Sequence, residues 1–291
     1  MDIHHPGKHD GNGDSSRLRR GGVFFRNIHA RQIILLRCRL LFLEAVFFSK
    51  NTVFKLFKSL LDALFPRLCP ICGKPSDRPE RTICWDCFSS IDLYRESLCE
   101  RCGRFAEGEI KHAFTCSVCL SMPPLFDKAR AAGRFSFELR DLVHQLKYGG
   151  ATWLASDLAD FLEGCVTAHF PSKKIDVVLP VPLHPLRLRE RTYNQASLLA
   201  EELAKRLDRR FDNCSLIRIR QTETQTHFNA KERRKNMNGA FSVIRPEWIQ
   251  KRTVLLVDDV MTTGSTFDAC AYALKKAGAR TVWAVALARG Q

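Results

Sequence analysis

The chain has 291 residues, 45% of them apolar, and carries 46 Lys and Arg against 31 Asp and Glu. Such a chain has the means to build a core, as one large domain or two modest ones, which excludes a wholly unfolded polyelectrolyte. The positive excess is +5 over residues 1–50, +1 over 51–120 and +9 over 121–291, so the basicity sits at the two ends and reads either as a solvated face or as attraction for a phosphate-rich ligand or nucleic acid.

Residues 1–22 are polar and offer little to bury, so disorder is expected there. Residues 23–50 mix apolar and basic side chains in a pattern open to an amphipathic surface helix. The most apolar run, Ile33–Phe48, is broken by Arg37, Arg39 and Glu44. It makes neither a transmembrane span nor a secretory signal, and no stable membrane insertion is expected. Residues 1–52 as a whole read as a disordered or non-native extension. The methionines are Met1, Met122, Met237 and Met261, so a natural start near Val53 would need a codon other than AUG.

Val53–Pro66 follows as a short amphipathic helix, with Leu56, Leu60, Leu61 and Leu64 on one face and a stop at the proline. Next come four CxxC pairs: Cys69 and Cys72, Cys84 and Cys87, Cys99 and Cys102, Cys116 and Cys119. Two thiolates in a tight turn reach one tetrahedral Zn2+, and two such turns complete a four-thiolate site. Eight thiolates suit two structural zincs. Neighbouring pairs are the simplest grouping, and crossed pairing is open. Eight of twelve cysteines used this way favour metal over disulfides and a reducing, cytoplasmic compartment. The module is taken as residues 53–122.

After a proline-marked linker, Ser121–Ala129, residues 123–291 alternate helices and strands. Helices are expected over Leu139–Tyr148, Trp153–Val166, Asn194–Leu207 and Thr266–Ala277. Strands are expected over Ile175–Pro182, Cys214–Arg220, Gly239–Val243, Thr253–Asp259 and Thr281–Arg289. The alternation argues an α/β domain with a mostly parallel sheet flanked by helices.

The chemistry gathers in Val254–Thr266, an apolar strand that ends in Asp258 and Asp259 and runs through a small-residue turn into a helix. Ligands of open α/β sheets bind beyond the carboxyl ends of strands. The helix start offers unpaired N–H groups to an anion, Gly264 lets the backbone approach it, and Thr262, Thr263, Ser265 and Thr266 add hydroxyls. The segment lacks the lysine and spacing of a Walker A loop. Two carboxylates beside a phosphate cradle suit the hydroxyls of a sugar phosphate, and they also suit Mg2+, directly or through water.

This segment resembles the ribose-phosphate motif of type I phosphoribosyltransferases, and residues 53–291 resemble the ComF family, in which a cysteine-rich zinc module precedes a phosphoribosyltransferase-like domain. The four CxxC pairs, "LKYGG" (146–150), "LPVPLHPLRLRERTYNQ" (179–195) and "QTETQTHFNAKERRKNMNGAF" (221–241) carry the resemblance along with Val254–Thr266. It implies that Asp258 and Asp259 hold the ribose hydroxyls of phosphoribosyl pyrophosphate at the catalytic centre. It implies that Thr262, Thr263, Gly264, Ser265 and Thr266 take the 5′-phosphate, and that Arg187 and Arg191, with Arg189, serve the pyrophosphate together with Mg2+. Lys147 is a candidate anion contact, and Gln221–Lys235 matches a basic lid. The implied activity is phosphoribosyl transfer to an acceptor the sequence does not name. The alternative it implies is a non-catalytic accessory of DNA uptake and competence, with single-stranded DNA or recombination proteins as partners. Many family members carry glycine where this chain has Thr192, so a left-handed backbone would strain the threonine.

Overall fold

The repeated spelling of "LCPICGK" and "LCERCGR" dictates a repeated fold. In the computed structural model, which describes residues 67–290 apart from Pro79, 94–97, 107–111 and 221–238, each stretch forms the same knuckle. Gly73 N–H donates to Cys69 O and Cys69 N–H to Lys74 O, at 2.8 and 2.7 Å; Gly103 and Cys99 repeat the pattern with Cys99 O and Arg104 O, at 2.9 and 2.8 Å. Both glycines sit in the left-handed region, with φ of 72° and 68°, which a turn this tight needs. The second CxxC of each unit starts a short helix, α1 (Trp85–Ser90) and α2 (Ser117–Ser121). The helix expected over Val53–Pro66, the lid Gln221–Lys235 and the extension 1–52 lie outside the described residues.

The rest is a five-stranded parallel sheet in the order β1-β7-β6-β2-β3, comprising β1 (Lys128–Arg134), β2 (Val177–Pro180), β3 (Arg210–Phe211), β6 (Thr253–Met261) and β7 (Thr281–Arg289). Its helices are α3 (Phe137–Tyr148), α4 (Leu154–His169), α5 (Pro185–Arg191), α6 (Gln195–Leu207) and α7 (Ser265–Lys276). The central strand β6 is apolar on both sides because both faces are covered. Leu255 and Val257 join Leu142, Leu158 and Leu199 on one face. Val254 and Leu256 join Phe267 and Leu274 on the other.

The two knuckle units are divided between these faces. Cys69, Ile83 and Cys84 pack into the first cluster, and Cys99, Cys102 and Cys119 into the second. The first unit is tied to α4 through polar groups. Asp157, buried, accepts from Thr82 N–H at 2.9 Å, from Ile83 N–H at 3.3 Å and from the Thr82 hydroxyl. Asp160 takes ion pairs from Arg78, Arg81 and Arg206.

Two expectations from the sequence are corrected and one helix is added. The linker Ser121–Ala129 runs directly into a strand, β1, whose "KARAAGR" carries no β-branched residue. The strand is closely covered: a Cβ on Gly103 of the second knuckle would come within 2.7 Å of its Ala129 O, and one on its own Gly133 within 2.5 Å of Asp92 O. The basic run after β2 forms α5, with His184 as its cap and Pro185 at its start. The strands β4 (Leu216–Arg218) and β5 (Phe241–Val243) leave the main sheet and pair antiparallel with each other. No helix among the described residues is long and apolar enough to cross a membrane.

Candidate functional site

The eight CxxC cysteines form two clusters, Cys69/Cys72/Cys84/Cys87 and Cys99/Cys102/Cys116/Cys119, with the sulfurs of each within 4.8 Å of one another. Neighbouring pairs therefore combine, and crossed pairing is excluded. Cys72 and Cys84 sulfurs lie 3.7 Å apart, as do those of Cys102 and Cys116. A tetrahedron with metal–sulfur arms of about 2.3 Å has edges of about 3.8 Å, so these are four-cysteine zinc-binding sites. In each site one thiol is drawn toward the thiolate while burial and the neighbouring cysteines push others up, Cys84 and Cys87 in the first and Cys102 and Cys119 in the second. At Cys69 burial opposes ionisation, but N–H groups of Cys72, Cys84 and Ile71 outweigh it and bring the thiol down to about 7. The Cys102 thiol and the Cys116 N–H draw Cys99 down to about 4. Four thiolates leave no open coordination position, so the role is structural.

The second centre lies at the carboxyl end of β6. Neighbouring residues on a strand point to opposite faces, and the adjacent aspartates do so here. Asp259 turns toward α3 and meets Lys147 Nζ at 2.8 Å. Asp258 turns toward α7, where its charge acts on the buried Cys270 thiol and on Arg218. The Asp259 N–H donates to Asp258 Oδ1 at 2.9 Å. Burial, then the neighbouring Asp259, push the Asp258 carboxyl up to about 8, against the pull of Lys147 and Arg218. Asp259 is 4% exposed, and its Oδ2 is buried with no hydrogen-bond partner. A buried carboxylate oxygen left unpaired costs on the order of 1–3 kcal/mol, and such an atom calls for an explanation.

The cradle follows directly. Gly264, at φ 82°, opens α7, and a Cβ there would come within 2.8 Å of Met261 Cε. The Thr263 and Ser265 hydroxyls lie 2.7 Å apart, and the Ser265 N–H points at Thr263 Oγ1 at 3.4 Å. Thr262 is exposed and Thr266 half-buried.

The remaining candidates are distributed unevenly. Lys147 does contact an anion, but it is the protein's own Asp259. Arg191 is stacked on Tyr148, with its Nη2 donating to the tyrosine hydroxyl at 3.1 Å. The charge of Arg187 acts on Arg218. Arg218, on β4, is the residue that sequence reasoning missed. Desolvation depresses its pKa first, and the charges of Arg187 and Asp258 then act on it in opposite directions. Thr192 has φ 67°, as its place in the motif implied.

Comparison with known proteins matches these two centres separately. A double zinc ribbon domain matches residues 60–120, and a phosphoribosyl transferase domain matches residues 194–291. The "DNA utilization protein YhgH" of Salmonella typhimurium is 34% identical over 227 residues, 77% of this chain and 97% of that protein. The chain belongs to the ComF family. "Competence protein F" of Haemophilus influenzae is 32% identical, over 71% of this chain and 90% of its own length. "Competence protein ComFC" of Bacillus subtilis is 25% identical, over 69% and 81%.

Proposed function

We propose that the centre at the end of β6 binds 5-phosphoribosyl pyrophosphate with Mg2+ and transfers the phosphoribosyl group to an acceptor. The observation that carries this reading is the buried, unpartnered Asp259 Oδ2 one turn from the Gly264 cradle. A ribose hydroxyl donates to it and removes its cost. The same hard oxygen suits a magnesium ion, with Asp258 and Asp259 as the residues that would hold it directly or through water. When bound, Mg2+ spreads the negative charge of the pyrophosphate. The chain's own residues do the remaining work. Thr262–Thr266 and the α7 N-terminus hold the 5′-phosphate, and Asp258 and Asp259 grip the sugar. Arg187 and Arg218 face the leaving group. The bond from the anomeric carbon to the pyrophosphate oxygen breaks, a bond to the acceptor forms, and the acceptor gives up a proton. Carboxylates near the ring support the oxocarbenium character of the transition state.

The test is calorimetric titration of donor and Mg2+ into the wild type and into Asp258→Asn/Asp259→Asn. Loss of binding in the double variant supports the reading, and equal affinity sinks it. Pyrophosphate release with a panel of bases then separates transfer from binding alone.

A second reading, a nucleic-acid-associated accessory of DNA uptake, is favoured by one surface feature and by the names of the relatives. On one face of α3, Phe137 and Tyr148 are 68% and 63% exposed. Arg140 lies over Phe137 at 5.0 Å and Arg191 over Tyr148 at 5.0 Å. Exposed rings interleaved with guanidinium groups suit stacked bases of a single strand. Binding of single-stranded DNA that weakens with salt and persists in the double aspartate variant supports it; no binding at low salt refutes it.

A further inference from the structure

Resting on the donor-binding reading, we propose that the second four-cysteine site positions the phosphate cradle, acting through Arg289, while the first does not. The connection is short. Arg289 ends β7 beside Met261, which ends β6, and it is 6% exposed. Its Nη1 donates to the carbonyl of Cys102, a ligand of the second site, at 2.6 Å, and lies 3.4 Å from Met261 Sδ. Met261 in turn props the cradle, because its Cε fills the space that a side chain on Gly264 would need. The Gly290 N–H holds Met261 O at 3.0 Å. A second strut runs from the chain just after the ribbon. Phe126 packs beside Gly264, and the Leu125 N–H donates to Asp268 in the first turn of α7 at 2.5 Å.

Metal bound by the four thiolates fixes where the Cys102 carbonyl stands. That carbonyl fixes the guanidinium, which fixes Met261, and a close-packed interior passes displacement on rather than absorbing it. The first site lacks this path among the described residues. Its unit contacts α4 through Asp157 and Asp160 and α3 through the first apolar cluster and a 3.3 Å hydrogen bond from Gln145 Nε2 to Pro70 O, on the opposite face of the sheet, and none of these contacts is with Met261 or Gly264. The two ribbons thus share one local fold and serve different faces.

Coupling of this kind is reciprocal, so donor bound at the cradle must hold the second zinc more tightly. The experiment follows zinc release from the full-length protein to a chromophoric chelator, with Mg2+ alone and with Mg2+ plus phosphoribosyl pyrophosphate. Two phases are expected, and donor should slow one of them by about 5- to 20-fold. Cys87→Ser, which disables the first site, should keep the donor-sensitive phase. Arg289→Met should retain two zincs per chain yet bind donor about 10-fold more weakly and lose the protection, and Arg289→Lys should recover part of both. Donor that slows both phases equally, or neither, overturns the proposal, as does Arg289→Met with wild-type affinity. If Arg289→Met does not fold, the wild-type release phases decide alone. Wild-type protein that binds no donor at all overturns the donor reading and this inference with it.

Discussion

Replacing Asp258 by Asn should stabilise the ligand-free protein, and by an amount that depends on pH. The Asp258 carboxyl stands at about 8 in the fold against 3.8 for the ordinary group. Between those values the folded chain binds more protons than the unfolded chain. Stability is therefore fully present below about pH 4 and is lost as pH rises through 8. Each unit of difference is worth about 1.4 kcal/mol, which puts the wild-type loss between pH 6 and pH 8.5 at no more than about 2.5 kcal/mol. Relaxation of the surroundings around the charged form reduces the net change to about 1–2.5 kcal/mol. Asn keeps the shape and does not titrate. In a chain of this size the Tm gap between variant and wild type should then widen by roughly 2–10 °C from pH 6 to pH 8.5. Differential scanning calorimetry of both proteins, zinc-loaded and free of donor and Mg2+, measures it. Zinc loss at low pH affects both proteins alike and cancels in the comparison. A gap that stays constant with pH would refute the assignment of a proton to this carboxyl.

Thr192→Gly should gain up to about 1 kcal/mol in urea unfolding: the left-handed backbone at φ 67° costs a threonine about 1–2 kcal/mol, and glycine's extra freedom in the unfolded chain returns part of it. Thr192→Ala keeps the Cβ and should gain nothing. Gly264→Ala should weaken donor binding at least about 10-fold and cost about 1–2 kcal/mol, because φ 82° is unfavourable to alanine and its Cβ meets Met261; wild-type affinity in a titration would remove the cradle from the binding site. Asp157→Ala should destabilise by about 2–4 kcal/mol, since it strands the N–H groups of Thr82 and Ile83 and unpairs Arg81. Proteolysis limited to the first ribbon would be the accompanying sign.

Local spacing made part of this molecule readable. The ligands of each zinc lie within one short stretch of chain, and the strand, the paired aspartates and the small-residue turn are contiguous. The approximate fold class was readable for the same reason, because an apolar strand buried on both sides leaves a plain pattern. What required distance in sequence stayed hidden. Lys147 and Asp259 are joined only by the packing of α3 on the sheet. Arg218 stands in "LIRIR", where nothing distinguishes it from a solvated arginine except alternation with Ile217 and Ile219, and its influence on the centre comes from the β4–β5 pair packing against α7. β1 escaped because its alanines satisfy close packing against the second knuckle and not any intrinsic preference for strand.

The ion pair of Lys147 with Asp259 has one more consequence. The carboxylate already holds a resident counterion, so a divalent metal arriving by itself meets a neutralised group and must compete with an ammonium tethered in place. A metal that arrives complexed to a polyphosphate brings its own replacement anion for the displaced lysine. On the donor-binding reading the exchange would conserve charge at both ends, and the centre would discriminate between a bare ion and an ion escorted by its ligand without any contact dedicated to the task.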